Sequence, residues 1–224
     1  MSAPRWLVAL FAASFAVFGV VAAVYVFAGE GTYRDLNARR GQVTFVLPGS
    51  TVTTDGSGLV AFHSQTLAYV LGSAAEPARL LDGRPLFDES ERAHLADVRS
   101  VFRAVCIAWA VAGIVLVAVV LRARLRGYAL RAIRDGALWA GAAVLVLGLV
   151  AAVAFEPAFL AFHYVFFPQG NFLFDPATSN LLRLYPEEYW YGVTIRIGVA
   201  FVASAAIVAA GAAAASHARL SSAR

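Results

Sequence analysis

Four long apolar runs constrain this chain more than any other feature of its sequence. They cover residues 6–28, 104–121, 136–155 and 191–215. A helix of roughly 20 apolar residues crosses the hydrocarbon core of a bilayer, which is about 30 Å thick. The composition agrees, because 60% of the 224 residues are hydrophobic and only 14% are charged, whereas soluble domains have about 25% charged residues. The sequence therefore predicts a mainly α, polytopic membrane protein, and it excludes an ordinary soluble enzyme, a disordered chain and a coiled coil.

The first run also has a second interpretation, as a cleaved signal peptide. The triplet Val26-Phe27-Ala28 loosely fits a cleavage site, but the run is longer than the usual apolar core of about 7–15 residues. An uncleaved membrane anchor is therefore preferred. The predicted transmembrane helices occupy residues 1–28, 104–121, 136–155 and 191–215.

Arginine is distributed unevenly around the four spans. The short loop 122–135 and the two tails hold eight arginines and one acid, Asp135, whereas the other 13 of the 14 acids lie between spans one and two or between spans three and four. By the positive-inside rule, both termini, the loop 122–135 and the tail 216–224 are predicted to be cytoplasmic. The arginines behind the net charge of +4 are then explained by the orientation of the chain in the membrane and by contact with anionic lipid. A nucleic-acid partner is not predicted.

The segment 29–103 is predicted to form an extracytoplasmic α/β cap between the first two transmembrane helices. Residues 43–47 and 51–54 are rich in β-forming side chains and are separated by a proline-glycine turn signal, which predicts a hairpin. Residues 62–71 predict a short helix, with His63 on its surface. The topology of the rest of the cap is left open.

The second extracytoplasmic segment, residues 156–190, is unusually aromatic. Twelve of the chain's 28 aromatic residues fall between Phe155 and Tyr191. A free loop in water cannot bury so many rings, so the segment is predicted to lie in the membrane interface or against the mouth of the bundle. His163 lies in its apolar part, where an interfacial position with a polar ring tip is the simplest interpretation. Asp175, which precedes a proline, predicts a turn and the cap of a short helix.

A helix start is predicted at Asp88, because Asp88 and Glu91 have the spacing of a capping box. The helix is expected to continue without a break into the second span. His94 and Asp97 lie on its outer part and share one face, three residues apart. This polar pair either caps the bundle at the interface or takes part in chemistry there.

His94 and His163 fall on the same predicted side of the membrane, near the depth of lipid ester groups. A neutral imidazole, with a reference pKa of about 6.5, accepts a proton near neutral pH. No G-x-S-x-G motif is present, and Cys106 lies in an apolar helix, which keeps a thiol unreactive. If the site transfers an acyl group, the nucleophile therefore comes most economically from the substrate. Arg196, inside the fourth span, either snorkels to the interface or supplies a donor to a developing oxyanion.

A metal site is a competing interpretation. Its ligands would come from five side chains, namely His63, His94, Asp97, His163 and Asp175. Only His94 and Asp97 have a meaningful spacing, and the H-E-x-x-H motif is absent. The single cysteine also excludes an internal disulfide and a zinc site built mainly from cysteines. Neither a metal nor another cofactor is predicted.

Two stretches carry a specific pattern. Residues 87–99 read FDESERAHLADVR, and residues 162–187 contain FHYVFF, GNFLFDPAT and LRLYPE. They resemble two signatures of the lipoprotein intramolecular transacylase (Lit) family of small integral membrane proteins, the first of which has the pattern F-x-x-x-E-x-x-H-[LM]-x-D-V-[KR]. The chain departs from the family at Phe172, where tryptophan is usual, and at Ser179-Asn180, where an acid is usual.

The resemblance implies a bacterial cell-membrane acyltransferase with its active site on the extracytoplasmic face. Members of the family act on a diacylglyceryl-cysteine lipoprotein, and they move the sn-2 acyl chain from the glyceryl group to the free α-amine to give a lyso-form lipoprotein. The histidines considered essential in the family correspond to His94 and His163. Asp97 would then fix the tautomer of His94 or stabilise the helix face. The oxyanion would be bound by Tyr164, Asn171 or Arg196.

Two other functions stay open at this level. A non-enzymatic membrane scaffold or lipoprotein-binding protein needs only the apolar spans and the aromatic segment. A metal-dependent membrane hydrolase needs the ligand set above. The partners expected from the sequence and the resemblance are a diacylated lipoprotein and membrane lipid, and the sequence does not define an oligomeric state.

Overall fold

The computed structural model describes residues 3–221, apart from the side chain of residue 220. It is mainly helical, with one two-stranded sheet. The elements in chain order are α1 (Arg5–Phe27), α2 (Glu30–Leu36), β1 (Val43–Leu47), β2 (Ser50–Thr54), α3 (Gly56–Val70), α4 (Glu89–Leu125), α5 (Ala129–Val153), α6 (Phe155–Phe166), α7 (Asn180–Leu184) and α8 (Glu187–Ser221).

Four of these helices are long and apolar enough to cross a membrane, namely α1, α4, α5 and α8. This finding confirms the predicted number of transmembrane helices and the mainly α class. The chain is accordingly a multi-pass membrane protein.

The helices extend past the predicted spans. Most of the predicted loop 122–135 is helical, because α4 ends at Leu125 and α5 begins at Ala129. Arginine is a good helix former, so the change from apolar to basic residues does not end a helix. In the predicted tail 216–224, α8 continues to Ser221. Residues 222–224, and residues 1 and 2 of the first predicted span, lie outside the described range.

The chain divides into two compact units. Of the described residues, 3–24, 105–150 and 195–221 form the first, called the spanning unit. Residues 25–104 and 151–194 form the second, called the histidine unit because it holds three of the four histidines. The two predicted extracytoplasmic segments therefore fold into one unit, and the cap is not built from residues 29–103 alone.

Small residues let the helices of the spanning unit approach closely. Phe11 of α1 packs over Gly136 of α5, where an added Cβ atom would lie 2.5 Å from the Phe11 ring. The ring of Phe201 on α8 covers Gly19 in the same way. Lipid-exposed helices gain little from the hydrophobic effect on association, so such close packing contributes much of their stability.

The histidine unit begins with the predicted hairpin, which is confirmed. Strands β1 and β2 pair antiparallel, from Val43 opposite Thr54 to Leu47 opposite Ser50. Gly49, in the turn, has a φ of +74°, a conformation that glycine adopts without strain. Phe45 and Leu47 bury one face of the hairpin.

The prediction that α3 begins at residue 62 is wrong, because the helix begins at Gly56. Asp55 caps it, and its Oδ1 accepts hydrogen bonds from the backbone N–H groups of Ser57 (3.0 Å) and Gly58 (3.2 Å). An aspartate at this position satisfies N–H groups that have no partner within the helix. The glycines after Asp55 obscured this start in the sequence.

The predicted surface position of His63 is also wrong. Its side chain is 2% exposed, because the buried face of α3 runs through Leu59, His63, Thr66 and Val70. Nε2 lies 3.0 Å from the Ala28 carbonyl oxygen, which can only accept, so Nε2 carries the proton. Nδ1 therefore accepts from the Tyr185 hydroxyl, 3.1 Å away. Burial lowers the pKa of His63 to about 4.

The small helix α7 joins the two halves of the histidine unit. Asn180 is buried, and its Oδ1 accepts from the N–H of Val46 at 2.9 Å. Its Nδ2 donates to the carbonyls of Val46 (2.8 Å) and Leu86 (2.7 Å). Ser179 caps the helix rather than the predicted Asp175, since the Ser179 hydroxyl accepts from the N–H of Leu182.

Substitution of Gly136 by alanine is expected to destabilise the protein. The new methyl group would overlap the base of the Phe11 ring, and overpacking of this kind costs about 1–3 kcal/mol. The matched control is Gly148→Ala in the same helix, where nothing lies within 4 Å. Thermal unfolding in detergent should show a lower Tm for Gly136→Ala and an unchanged or higher Tm for Gly148→Ala. Equal Tm values in the two variants would contradict this packing.

Acidification is expected to weaken the histidine unit through His63. The pKa of His63 is about 4 when folded and about 6.5 when unfolded, so stability is present above pH 6.5 and is lost as the pH falls towards 4. The loss amounts to about 3 kcal/mol at most. Unfolding free energies measured across this range should depend less on pH in His63→Gln than in the wild type. The exposed control His217→Gln should keep the wild-type dependence, and a His63→Gln protein that also keeps it would count against the assignment.

Candidate active site

The N-terminal cap of α4 fixes the position of His94, the first histidine of the site. The predicted capping box is confirmed, since Asp88 Oδ1 accepts from the N–H of Glu91 (2.8 Å) and Glu91 Oε2 accepts from the N–H of Asp88 (3.0 Å). The helix then runs unbroken to Leu125. His94 lies in its second turn, before the apolar span, and is 5% exposed.

The second site histidine lies on α6, which begins after a break in the helix at Ala154. His163 Nδ1 lies 2.8 Å from the carbonyl oxygen of Phe159. A carbonyl oxygen can only accept, so Nδ1 carries the proton and Nε2 holds the lone pair. One helical turn therefore sets the tautomer of His163.

The two imidazoles lie beside one another, with ring centroids 6.1 Å apart and planes inclined by 23°. Aromatic rings surround them. Phe167 lies 4.7 Å and Phe174 lies 5.6 Å from the His94 ring, and Phe172 lies 5.1 Å from the His163 ring. The structure thus brings together the two histidines that the sequence singled out.

Burial lowers the pKa of both imidazoles. For His94 the neighbouring His163 adds to this lowering, whereas the Asn171 amide and the negative charge of Asp97 raise the pKa. For His163 the hydrogen bond to the Phe159 carbonyl opposes the effect of burial. Both rings are therefore neutral near pH 7, and each is able to accept a proton.

Asp97 is held by amides rather than by His94. Its Oδ2 accepts from Asn171 Nδ2 at 2.6 Å and from Gln169 Nε2 at 2.7 Å. His94 Nδ1 and Asn171 Oδ1 are both buried without a hydrogen-bond partner. Asp97 therefore acts on His94 through its charge, in the same direction as the Asn171 amide that it binds.

A tight turn brings these two amides to Asp97. The Gly170 N–H donates to the Phe167 carbonyl at 3.0 Å, and Gly170 has a φ of +77°, which favours glycine. Gln169 was not among the site residues predicted from the sequence. The signal was the glycine between two amide side chains, Gln169 and Asn171.

The other predicted site residues lie at different places. Tyr164 is 54% exposed, and its ring packs edge-on against Phe172 at 5.2 Å. Asp175 closes a local turn by accepting from the N–H of Ala177. Arg196 belongs to the spanning unit. Within residues 3–221, no cluster of three or more His, Cys, Asp or Glu side chains is arranged to hold a metal ion.

The fold and the site define a multi-pass membrane protein with a pair of neutral imidazoles in aromatic surroundings. The chain belongs to the lipoprotein intramolecular transacylase Lit family, whose sequence model matches residues 5–190. It is therefore a membrane acyltransferase of that family. No curated protein matches the chain.

Solved structures share this fold. The in meso structure of the membrane-integral lipoprotein intramolecular transacylase Lit from Bacillus cereus is 16% identical, with a TM-score of 0.67, and the match covers 91% of each chain. A histidine-to-arginine variant of that protein is 15% identical, with a TM-score of 0.69, and the match covers 97% of this chain and 94% of the other. At this identity the likeness concerns the fold.

Removal of the Asp97 charge is expected to lower the pKa of His94 further, because that charge favours the imidazolium. NMR titration of ring-labelled histidine in Asp97→Asn measures the effect. The control is Asp82→Asn, which removes an exposed carboxylate bound to Arg84 on a loop. A His94 pKa that rises or stays constant in Asp97→Asn would contradict the described network.

Proposed function

We propose that this chain moves the sn-2 acyl chain of a diacylglyceryl-cysteine lipoprotein to its N-terminal α-amine, with His94 and His163 as the acid–base residues. The single observation that carries the proposal is the side-by-side placement of two neutral imidazoles, 6.1 Å apart. Membership of the transacylase family supplies the class of reaction.

The substrate supplies both reacting groups in this proposal. The α-amine attacks the ester carbonyl, an amide bond forms, and the glyceryl oxygen leaves as an alcohol. Groups tethered in one molecule react with effective molarities that reach about 10⁵ M or more. An acyl-enzyme intermediate, a metal or a cofactor is then not required by the chemistry.

The two neutral rings divide the proton transfers. The substrate enters as an ammonium with a reference pKa of about 7.7–8.0. We assign the first proton to His94, which returns it later to the departing glyceryl oxygen. The second amine proton, lost during attack, goes to the lone pair on Nε2 of His163 and then to solvent. Reactants and products balance with the release of one proton.

Asn171 and Asp97 support the role of His94. When Nδ1 of His94 carries a proton, Oδ1 of Asn171 is the acceptor proposed for it. Asp97 holds Asn171 through Nδ2 and contributes negative charge behind the imidazolium. The neutral ring predominates before substrate binds, and the charged ring is stabilised once it has taken a proton.

The oxyanion of the intermediate needs a donor as well. Asn171 Nδ2 donates one N–H to Asp97 and has a second N–H, so Asn171 and the Tyr164 hydroxyl are both candidates within the histidine unit. Arg196 lies in the spanning unit, and its part in oxyanion binding stays a sequence-based prediction.

The orientation in the bacterial cell membrane is part of the proposal. By the positive-inside rule, the arginines of residues 122–135 and of both tails support a cytoplasmic location for the two termini. The histidine pair then lies on the extracytoplasmic side, where membrane-anchored lipoproteins are found.

Substitution of either histidine is expected to abolish the lyso form. The protein would be expressed in cells that make only diacylated lipoproteins, and N-terminal peptides would be analysed by mass spectrometry. Loss of one acid–base residue lowers such rates by about 10²–10⁴-fold, so His94→Ala and His163→Ala should leave the acyl chains in place.

The control is His217→Ala, an exposed histidine at the far end of α8, which should retain wild-type conversion at equal expression. Unchanged conversion in His94→Ala and His163→Ala would contradict the assignment of these histidines as acid–base residues. A wild-type protein that converts nothing would favour a membrane scaffold or lipoprotein-binding role instead.

A further inference from the structure

A buried carboxylate lies one helical turn before His94. Glu91 is 1% exposed, although carboxylates are almost never fully buried unless they are paired. The described residues place no arginine or histidine against it in an ion pair. Hydrogen bonds must therefore stabilise its charge.

Three donors surround Glu91. Oε1 accepts from the Ser179 hydroxyl at 2.6 Å and from the Leu181 N–H at 2.7 Å. Oε2 accepts from the N–H of Asp88 at 3.0 Å. The N-terminus of α4 also favours a negative charge at this position. Glu91 thus binds two elements that are about 90 residues apart in the chain, the start of α4 and the start of α7.

The segment that Glu91 holds leads directly to the histidine pair. Residues 167–179 connect α6 to α7, and this connection is called the aromatic strap. Phe172 of the strap packs on His163 and Phe174 packs on His94, while Asn171 reaches Asp97. One end of the strap is fixed by α6, which carries His163. The other end is fixed at residues 179–181 by Glu91.

We infer that Glu91 is a positioning residue, which holds the aromatic strap over the imidazoles and so keeps the His94–His163 site dry and correctly spaced. The inference rests on the proposed function, since the spacing matters through acid–base catalysis. Glu91 itself touches neither histidine ring among the described contacts, so its effect on the reaction is indirect.

Glutamine is the informative substitution at this position. Glu91→Gln keeps an oxygen for Ser179 and Leu181 only if its NH₂ group faces the N–H of Asp88, which is a contact between two donors. In either orientation, Glu91→Gln therefore loses hydrogen bonds to one of the two elements that Glu91 joins, the start of α4 or the start of α7. The matched control is Glu89→Gln, which removes the same charge from the same first turn at an exposed position.

The expected result is a slower and pH-shifted reaction. Misplacement of catalytic groups by about 1 Å costs roughly 100-fold, so kcat/KM of Glu91→Gln should fall by about tenfold or more. Water that enters under a loosened strap relieves the burial of both histidines, so the acid limb of the pH profile should move to higher pH. His163 from α6, Asp97 on α4 and Asn171 from the strap face His94 and are unchanged in this variant. Glu89→Gln should show neither effect.

Hydrogen–deuterium exchange provides a readout that does not depend on activity. Exchange in the aromatic strap should be faster in Glu91→Gln than in Glu89→Gln, in detergent or nanodiscs. If Glu91→Gln does not fold, Ser179→Ala takes its place, because it removes one donor to Glu91, together with the cap of α7, and leaves the two backbone donors to Glu91. Ser179→Ala should give changes in the same directions but smaller.

A fall in rate without a shift of the pH profile and without faster exchange in the strap would overturn the inference, since a purely structural role changes only the amount of folded protein. Unchanged rate and profile in a folded Glu91→Gln protein would overturn it too. An inactive wild type would instead remove the proposed function, and the exchange measurement would still decide whether Glu91 holds the strap.

Discussion

Hydrogen bonds made by residues 179–181 hold the histidine unit together. Glu91 accepts from Ser179 and Leu181, and Asn180 pairs with the backbone of β1 and of Leu86. Glu91 and Asn180 are both buried, and a buried polar group without a partner costs more than its hydrogen bond gains. Segments far apart in the chain therefore have few alternative ways to meet. The placement of the imidazoles on α4 and α6 depends on this junction.

The electrostatics of the site fit a reaction that starts from neutral rings. The aromatic surroundings lower the pKa of both histidines, while Asp97 and Asn171 act in the opposite direction on His94. An environment that was only apolar would prevent a ring from holding a proton, and an exposed one would leave a ring partly charged from the start. Phe172, where the family usually has tryptophan, keeps the aromatic contact with His163 at 5.1 Å.

Sequence patterns correctly predicted the structural elements whose formation does not depend on residues distant in the chain. The four apolar helices, the hairpin and the capping box of Asp88 and Glu91 were confirmed, because each depends on neighbouring residues or on the bilayer as solvent. The errors involve partners distant in sequence. His63 is buried against Ala28 and Tyr185, and nothing within α3 identifies those partners. Asp97 shares a helix face with His94, yet its hydrogen bonds go to Gln169 and Asn171.

By itself, the sequence determined that the chain is a membrane protein with four apolar helices, since an apolar run of about 20 residues crosses the bilayer as a helix that satisfies its own backbone hydrogen bonds. It also singled out His94 and His163 through their position beside the spans and through the family resemblance. Only the tertiary structure decided that the rings lie 6.1 Å apart, that the two polar segments form one unit, and that Glu91 turns inward. The reason is that these features depend on hydrogen bonds and ring contacts between segments about 70 to 140 residues apart, and sequence periodicity carries no information about them.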